Sequence, residues 1–322
     1  MTQGGDREVH DSYSAYRSAL IGRFWDYVHK TRIPSEMLEL RQADNPNRPP
    51  VFVPSKSGLN LVLPQGAAKD RVLAKLAGKP RHRWFRSMSS SQALTWSVFG
   101  ALSAYDKLDL LSGIVLPADD GNVRPRFVCE LEYDVNYLGE PRHTSIDVML
   151  SAESGVRMAV ECKLSESDVG TCSRPRLPTS RSEYCDGKYC RQHGRQASCS
   201  LEELGAAYWR YLAKLTTWRT KSDIIDPCPL RSTYQIARNI IAASASANTV
   251  QGVAGACTLL VDSRNPAFMV GGKGFQAFDS IRSSLREPSL LRMVTWQDLM
   301  GRMQADGTLN WLVDGLRFRY GL

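Results

Sequence analysis

Two runs of strand-forming residues, 144–150 and 156–164, are separated only by Ser151-Ala152-Glu153-Ser154-Gly155. A five-residue loop ending in glycine is a hairpin connection, too short for a crossover. The middle of the chain is therefore committed to an antiparallel return. Period-two geometry then sorts the side chains of the second run: Glu161 and Lys163 fall on one face, with Val160, Cys162 and Leu164 on the other. Asp147 lies on the preceding strand, across the hairpin. Two carboxylates and one amine are thus predicted to converge at one end of a sheet.

The flanking sequence supplies layers for that sheet. Residues 12–30 carry Tyr16, Leu20, Phe24 and Tyr27 at helical spacing, and 70–76 form a short helix candidate. Residues 89–105 read as a serine-capped helix with Ala93, Trp96, Val98, Phe99 and Leu102 as apolar surface. Residues 127–138 are rich in β-formers and end at the turn chemistry of Gly139-Glu140-Pro141-Arg142. Beyond the hairpin, 201–215 and 233–247 are predicted helices, 257–262 a strand covered on both faces, and 277–285 and 297–303 further helices. Residues 45–64 hold five prolines and read as a surface linker. The order helix, three strands, helix, strand gives an α/β fold with a mixed sheet flanked by helices. We expect a helical and basic N-terminal extension over residues 1–86, then a core over 87–322 carrying a Cys-rich basic insertion at 170–200.

Charge narrows the partner. The chain has 41 Lys and Arg against 33 Asp and Glu, a formal net charge of +8. Ten basic and four acidic residues fall between positions 172 and 221, and Arg71, Lys75, Lys79, Arg81, Arg83 and Arg86 make a second basic run. Such stripes fit a phosphate backbone, although a single run can equally be a solvated face. No apolar run reaches the roughly 18–20 residues of a membrane helix, and the first thirty residues have no signal-peptide core. A soluble, cytoplasmic protein that contacts no membrane is the expectation. Eight cysteines in such a chain do not read as a disulfide framework.

Asp147 and Glu161 would form a hard-oxygen site suited to Mg²⁺ or Mn²⁺, and Lys163 could meet the charge that develops on a transferring phosphoryl group. The arrangement resembles the PD-(D/E)xK, restriction-endonuclease-like superfamily, with Asp147 matching its first carboxylate and Glu161-Cys162-Lys163 its E-x-K tripeptide. Ile146 stands where the naming proline would be. The resemblance covers about residues 89–262. It implies a restriction-endonuclease-like core that hydrolyses DNA phosphodiesters with Mg²⁺, and a Gln on the helix after E-x-K, for which Gln235 is the candidate. The Ser90-Ser91-Gln92-Ala93 stretch heading a helix is similar to one in predicted bacterial restriction-endonuclease-like proteins, and it adds Gln92 and Glu132 as site candidates. A homodimer is among the expected assemblies.

A second constellation is Cys172, Cys185, Cys190, His193, Cys199 and Cys228. A C-x4-C pair with a nearby His and Cys is a candidate tetrahedral Zn²⁺ set, and free surface thiols are the alternative. The superfamily resemblance adds a cysteine-ligated iron–sulfur cluster as a further option. His82 sits in a basic run where it could touch phosphate, and Glu166 and Asp168 read as solvated loop acids. The rivals to a sequence-reading nuclease are a structure-specific repair or recombination nuclease and a nucleic-acid-binding module whose site has decayed.

Overall fold

A computed structural model describes residues 3–39, 45–114, 126–141, 143–153, 155–181, 183–190, 199–218, 224–246, 249–250 and 255–322. Its centre is a five-stranded mixed sheet. Strands β1 (Phe127–Val135), β2 (Thr144–Ala152) and β3 (Arg157–Cys162) form an antiparallel meander, and β4 (Gly255–Val261) and β5 (Leu291–Thr295) add parallel to β3. The hairpin pairs Val148 with Val160 and Ser151 with Arg157. Inner strand β4 is buried along nearly its whole length, as a parallel strand with a helix layer on each face must be.

One face packs against α1 (Gln3–Lys30), α2 (Ala67–Leu76), α3 (Ser91–Ala104), α7 (Trp296–Asp306) and α8 (Asn310–Tyr320). The other is covered by α4 (Tyr208–Leu215), α5 (Leu230–Ser244) and α6 (Lys273–Ser284). Helix α3 is buried on every side from Ala93 to Leu102 and apolar there except for Thr95 and Ser97, which only a central position between layers can satisfy. Its N-terminus is fixed by Ser90, whose hydroxyl accepts the Ala93 N–H at 3.2 Å. The alternation expected of β3 holds: Val160 and Cys162 enter the α3 core, and Ala159 faces α5.

Three expectations change. Residues 45–64 are no surface linker: Val51, Phe52, Leu61 and Val62 are buried, and Asn60 donates to the carbonyls of Phe85 and Ser87. Prolines break helical and ladder patterns without preventing burial of the apolar residues between them. The helix expected over 201–215 is interrupted. Gly205 takes a φ of +95° and lies against Gly139, and Ala207 N–H donates to the Leu138 carbonyl, so a single turn ends before α4 begins. Strand β5 and helix α8 lie in stretches where no element was expected.

Candidate active site

The hairpin register continues past Val148 and Val160 to set Asp147 beside Glu161. There the ladder opens, and the Cys162 N–H donates at 2.9 Å to the Asp147 carboxylate in place of a strand carbonyl. Lys163 follows directly on the C-terminal end of β3, its own N–H held by the Leu260 carbonyl at 2.8 Å and its carbonyl by the Trp296 indole at 2.9 Å. Lys163 Nζ donates to Glu161 Oε1 at 2.9 Å and to Gln235 Oε1 at 3.0 Å. The second Glu161 oxygen accepts from Asn239 Nδ2 at 2.7 Å, and Asn239 Oδ1 in turn accepts from Arg238. Arg238 reaches on to Thr144 Oγ1 and to the Ser145 carbonyl. Gln235, Arg238 and Asn239 occupy positions i, i+3 and i+4 of α5, one face of the helix laid over the end of β3.

Glu132 completes the acidic side. The register pairs Leu131 with Val148 and Tyr133 with Ile146, so Glu132 stands opposite Asp147. Its φ is +50°, a left-handed conformation uncommon for a residue with a side chain, and such strain is held where surrounding contacts impose it. Trp96 Nε1 and Ser145 Oγ donate to its carboxylate at 3.3 and 3.2 Å. Gln92, the second residue of α3, bonds to Glu132 and also accepts the His82 N–H at 2.8 Å.

The electrostatics follow from burial. Desolvation lifts the Asp147 carboxyl well above the usual aspartate value, and the negative charge of Glu161 pushes it further; Lys163 opposes both. Burial likewise raises Glu132 against three donors. For Lys163 burial favours the neutral amine, but the carboxylates of Glu161, Glu166 and Asp147 together outweigh it, so the group is held as an ammonium. The Glu161 and Lys163 side chains are 2% and 8% exposed. A buried ion pair of this kind adds little net stability compared with a well-packed apolar pair, so structural need alone does not account for it.

All six residues nominated for this chemistry, Asp147, Glu161, Lys163, Gln235, Glu132 and Gln92, line one cleft of about 700 Å³. Arg17, Arg48, His82, Trp84, Glu166 and Arg238 line it as well. Glu166 is thus part of the cleft wall as well as a loop acid: its Oε2 accepts the Leu164 N–H at 2.7 Å. Asp168 caps the Gly170 N–H and stays outside. Sequence reasoning missed Arg238 and Asn239, although their spacing from Gln235 on one helix was a usable signal. Of the second constellation, Cys172, Cys185, Cys199 and Cys228 line a separate small cavity, while the Cys190 side chain and His193 lie outside the described residues.

Among the described residues, no group of three or more His, Cys, Asp or Glu side chains is placed to hold a metal ion as it stands. The donor set of the cleft nevertheless suits a hard divalent cation. Asp147 is half-buried beside two further carboxylates with a single ammonium to offset them, and a small oxygen-preferring cation would relieve that repulsion. Mg²⁺ commonly takes one or two carboxylates and draws its remaining ligands from water and phosphate.

A family model described as Restriction Endonuclease associating with ARP matches residues 55–321, which include the whole sheet, α5 and every cleft residue named above except Arg17 and Arg48. No curated protein and no solved structure matches the chain. No helix of the described residues is long and apolar enough to cross a membrane.

Proposed function

Because the chain belongs to this restriction-endonuclease family, we propose that it hydrolyses DNA phosphodiester bonds in the cleft at the end of β3, as a Mg²⁺-dependent endonuclease of the PD-(D/E)xK type. The observation that carries the reading is the convergence of Asp147, Glu161 and Lys163 on one cleft, with Lys163 clamped between Glu161 and Gln235. Asp147 and Glu161 would hold the cation, which when bound supplies a Lewis acid at the scissile phosphate. Lys163 brings a fixed ammonium to the negative charge that builds on the phosphoryl oxygens, and its position costs no reorganisation during the reaction. Gln235 and Asn239 orient Lys163 and Glu161, and Glu132 and Gln92 close the opposite wall. Arg17 and Arg48, exposed at the rim, suit the phosphate backbone.

One observation favours a second reading, cleavage of branched or unpaired DNA. The Trp84 side chain lines the cleft yet is 52% exposed, a flat surface on which an unstacked base can lie.

A single assay tests both. Purified protein is incubated with duplex, single-stranded and flapped DNA, with and without Mg²⁺, beside Asp147→Asn and Lys163→Met. The expected result is Mg²⁺-dependent cleavage lost by at least about a hundredfold in each folded variant, since each removes charge stabilisation made in the transition state. Preference for unpaired DNA that disappears in Trp84→Ala supports the second reading. Full cleavage by folded Asp147→Asn means that the site has been misplaced.

A further inference from the structure

Between Lys163 and α4 the described backbone has little regular structure: one 3-10 turn at Arg174–Arg176, a two-residue strand at Tyr189–Cys190 and one helical turn at Ser200–Glu203. Four cysteines from separate points of this stretch and of the start of α5 nevertheless meet. Cys172, Cys185, Cys199 and Cys228 line one cavity of about 10 Å³, and all four are free thiols. The sulfurs share a backbone pattern. Cys172 accepts from the N–H of Arg174, Cys185 from that of Gly187 at 3.3 Å, Cys199 from that of Leu201 and Cys228 from that of Leu230. In each case the donor lies two residues on. Four cysteines brought from distant points of the chain to one cavity, each with a backbone N–H on its sulfur, form a set of four soft donors of the kind a thiophilic cation takes tetrahedrally.

We propose that Cys172, Cys185, Cys199 and Cys228 bind one Zn²⁺ as a tetrathiolate that staples the insertion to the N-terminus of α5. The cavity is the size of about one water molecule, which suits a single ion. Each thiol gives its proton to solvent as its sulfur takes a Zn–S bond of about 2.3 Å, with no change of oxidation state. Arg174 and Arg231 line the same cavity and offset the negative charge of a four-thiolate zinc site. Binding would draw the sulfurs inward from their present spacing, since no three of them yet form a closed set. The ion would fix the loop containing Cys172, whose N–H is already held by the Arg231 carbonyl at 3.2 Å, and α5 carries Gln235 four residues on.

The test is metal analysis of the full chain purified under reducing conditions without chelator. About one zinc per chain is expected, with Co²⁺ exchange giving the intense sulfur-to-metal absorption of a tetrahedral tetrathiolate. Cys185→Ser and Cys172→Ser, the two half-exposed positions, should each hold less than about a tenth of that zinc. Cys129→Ser, outside the cavity, should hold all of it, and so should Asp147→Asn, which separates this site from the nuclease reading. Three outcomes overturn the proposal: neither zinc nor a cobalt spectrum in folded protein, iron with acid-labile sulfide, or disulfides among these four cysteines in metal-free protein by mass spectrometry.

Discussion

Asp147 is a half-buried carboxylate set beside Glu161 and Glu132 in the cleft wall, and the energetic consequence depends on pH. Its pKa is raised on folding, so its contribution to stability is fully present below the usual aspartate value of 3.8 and is lost as pH rises through the higher folded value. Each unit of elevation corresponds to about 1.4 kcal/mol. In metal-free protein Asp147→Asn should therefore raise the melting temperature at pH 8, by about 1.5 °C per kcal/mol for a chain of this length, and change it little near pH 4. Asn keeps an oxygen for the Cys162 N–H, so that bond survives the exchange. Mg²⁺ should stabilise the wild type at pH 8 and leave Asp147→Asn nearly unaffected. Calorimetry across pH checks both signs; a variant less stable than wild type at pH 8 would mean that the ionised carboxylate is not held at a cost in the cleft.

The hairpin delivers Asp147 and Glu161, and α5 delivers the groups that hold Lys163 in place. Gln235, which bonds Lys163 directly, is itself packed against Gly170. That glycine has a φ of +91°, and a Cβ there would stand 2.2 Å from Gln235 Oε1 and 2.6 Å from Gln235 Cβ. Gly170→Ala should push Gln235 off Lys163, at about 1–2 kcal/mol for the left-handed backbone alone. Cleavage should fall by about tenfold or more, because a catalytic group displaced by about 1 Å loses much of its effect. The check is to compare kcat with thermal stability: a variant destabilised by the expected amount but cleaving at the wild-type rate would show that Gln235 does not position Lys163. Adding Gln235→Ala to Gly170→Ala removes the contact with Oε1 but keeps the 2.6 Å approach to Cβ and the left-handed backbone, so stability should recover only in part and cleavage not at all.

At the scale of the whole molecule, two arginines of the basic run at 71–86 are engaged by the fold rather than left open for phosphate. Arg86 is paired with Glu39 and donates to the Phe52 carbonyl, and Arg81 bonds Ser57 and lies over the Phe85 ring, so both serve the fold. The cleft rim instead carries Arg17 from α1 and Arg48 from the proline-rich segment. Replacing Arg17 and Arg48 together with Ala should reduce the slope of log K against log salt on duplex DNA by about 1.8, at about 0.9 for each phosphate that is no longer neutralised. Arg86→Ala should leave the slope unchanged and lower the melting temperature. Binding measured from low to moderate salt separates these outcomes, and an unchanged slope in the double variant would remove the rim from the DNA path.

The sequence by itself determined the hairpin, its facing and the three residues at its end. Those depend on the two-residue repeat of a strand and the length of one loop, which are local properties. It also determined α3 and its serine cap, and the inner position of β4, because continuous apolar runs leave few alternatives. What only the tertiary structure decided is how distant segments meet. Glu132 enters the cleft because β1 pairs with β2 in one register, and Arg238 and Asn239 reach the site because α5 lies over β3 rather than elsewhere. The proline-rich segment became core, and β5 an outer parallel strand, through burial against partners distant in the chain. Four cysteines spaced irregularly in sequence reach one cavity for the same reason. Local periodicity fixes which face a side chain takes; which surface meets that face is set by packing the whole chain, where the cost of closing a loop grows only slowly with its length and burial decides the partner.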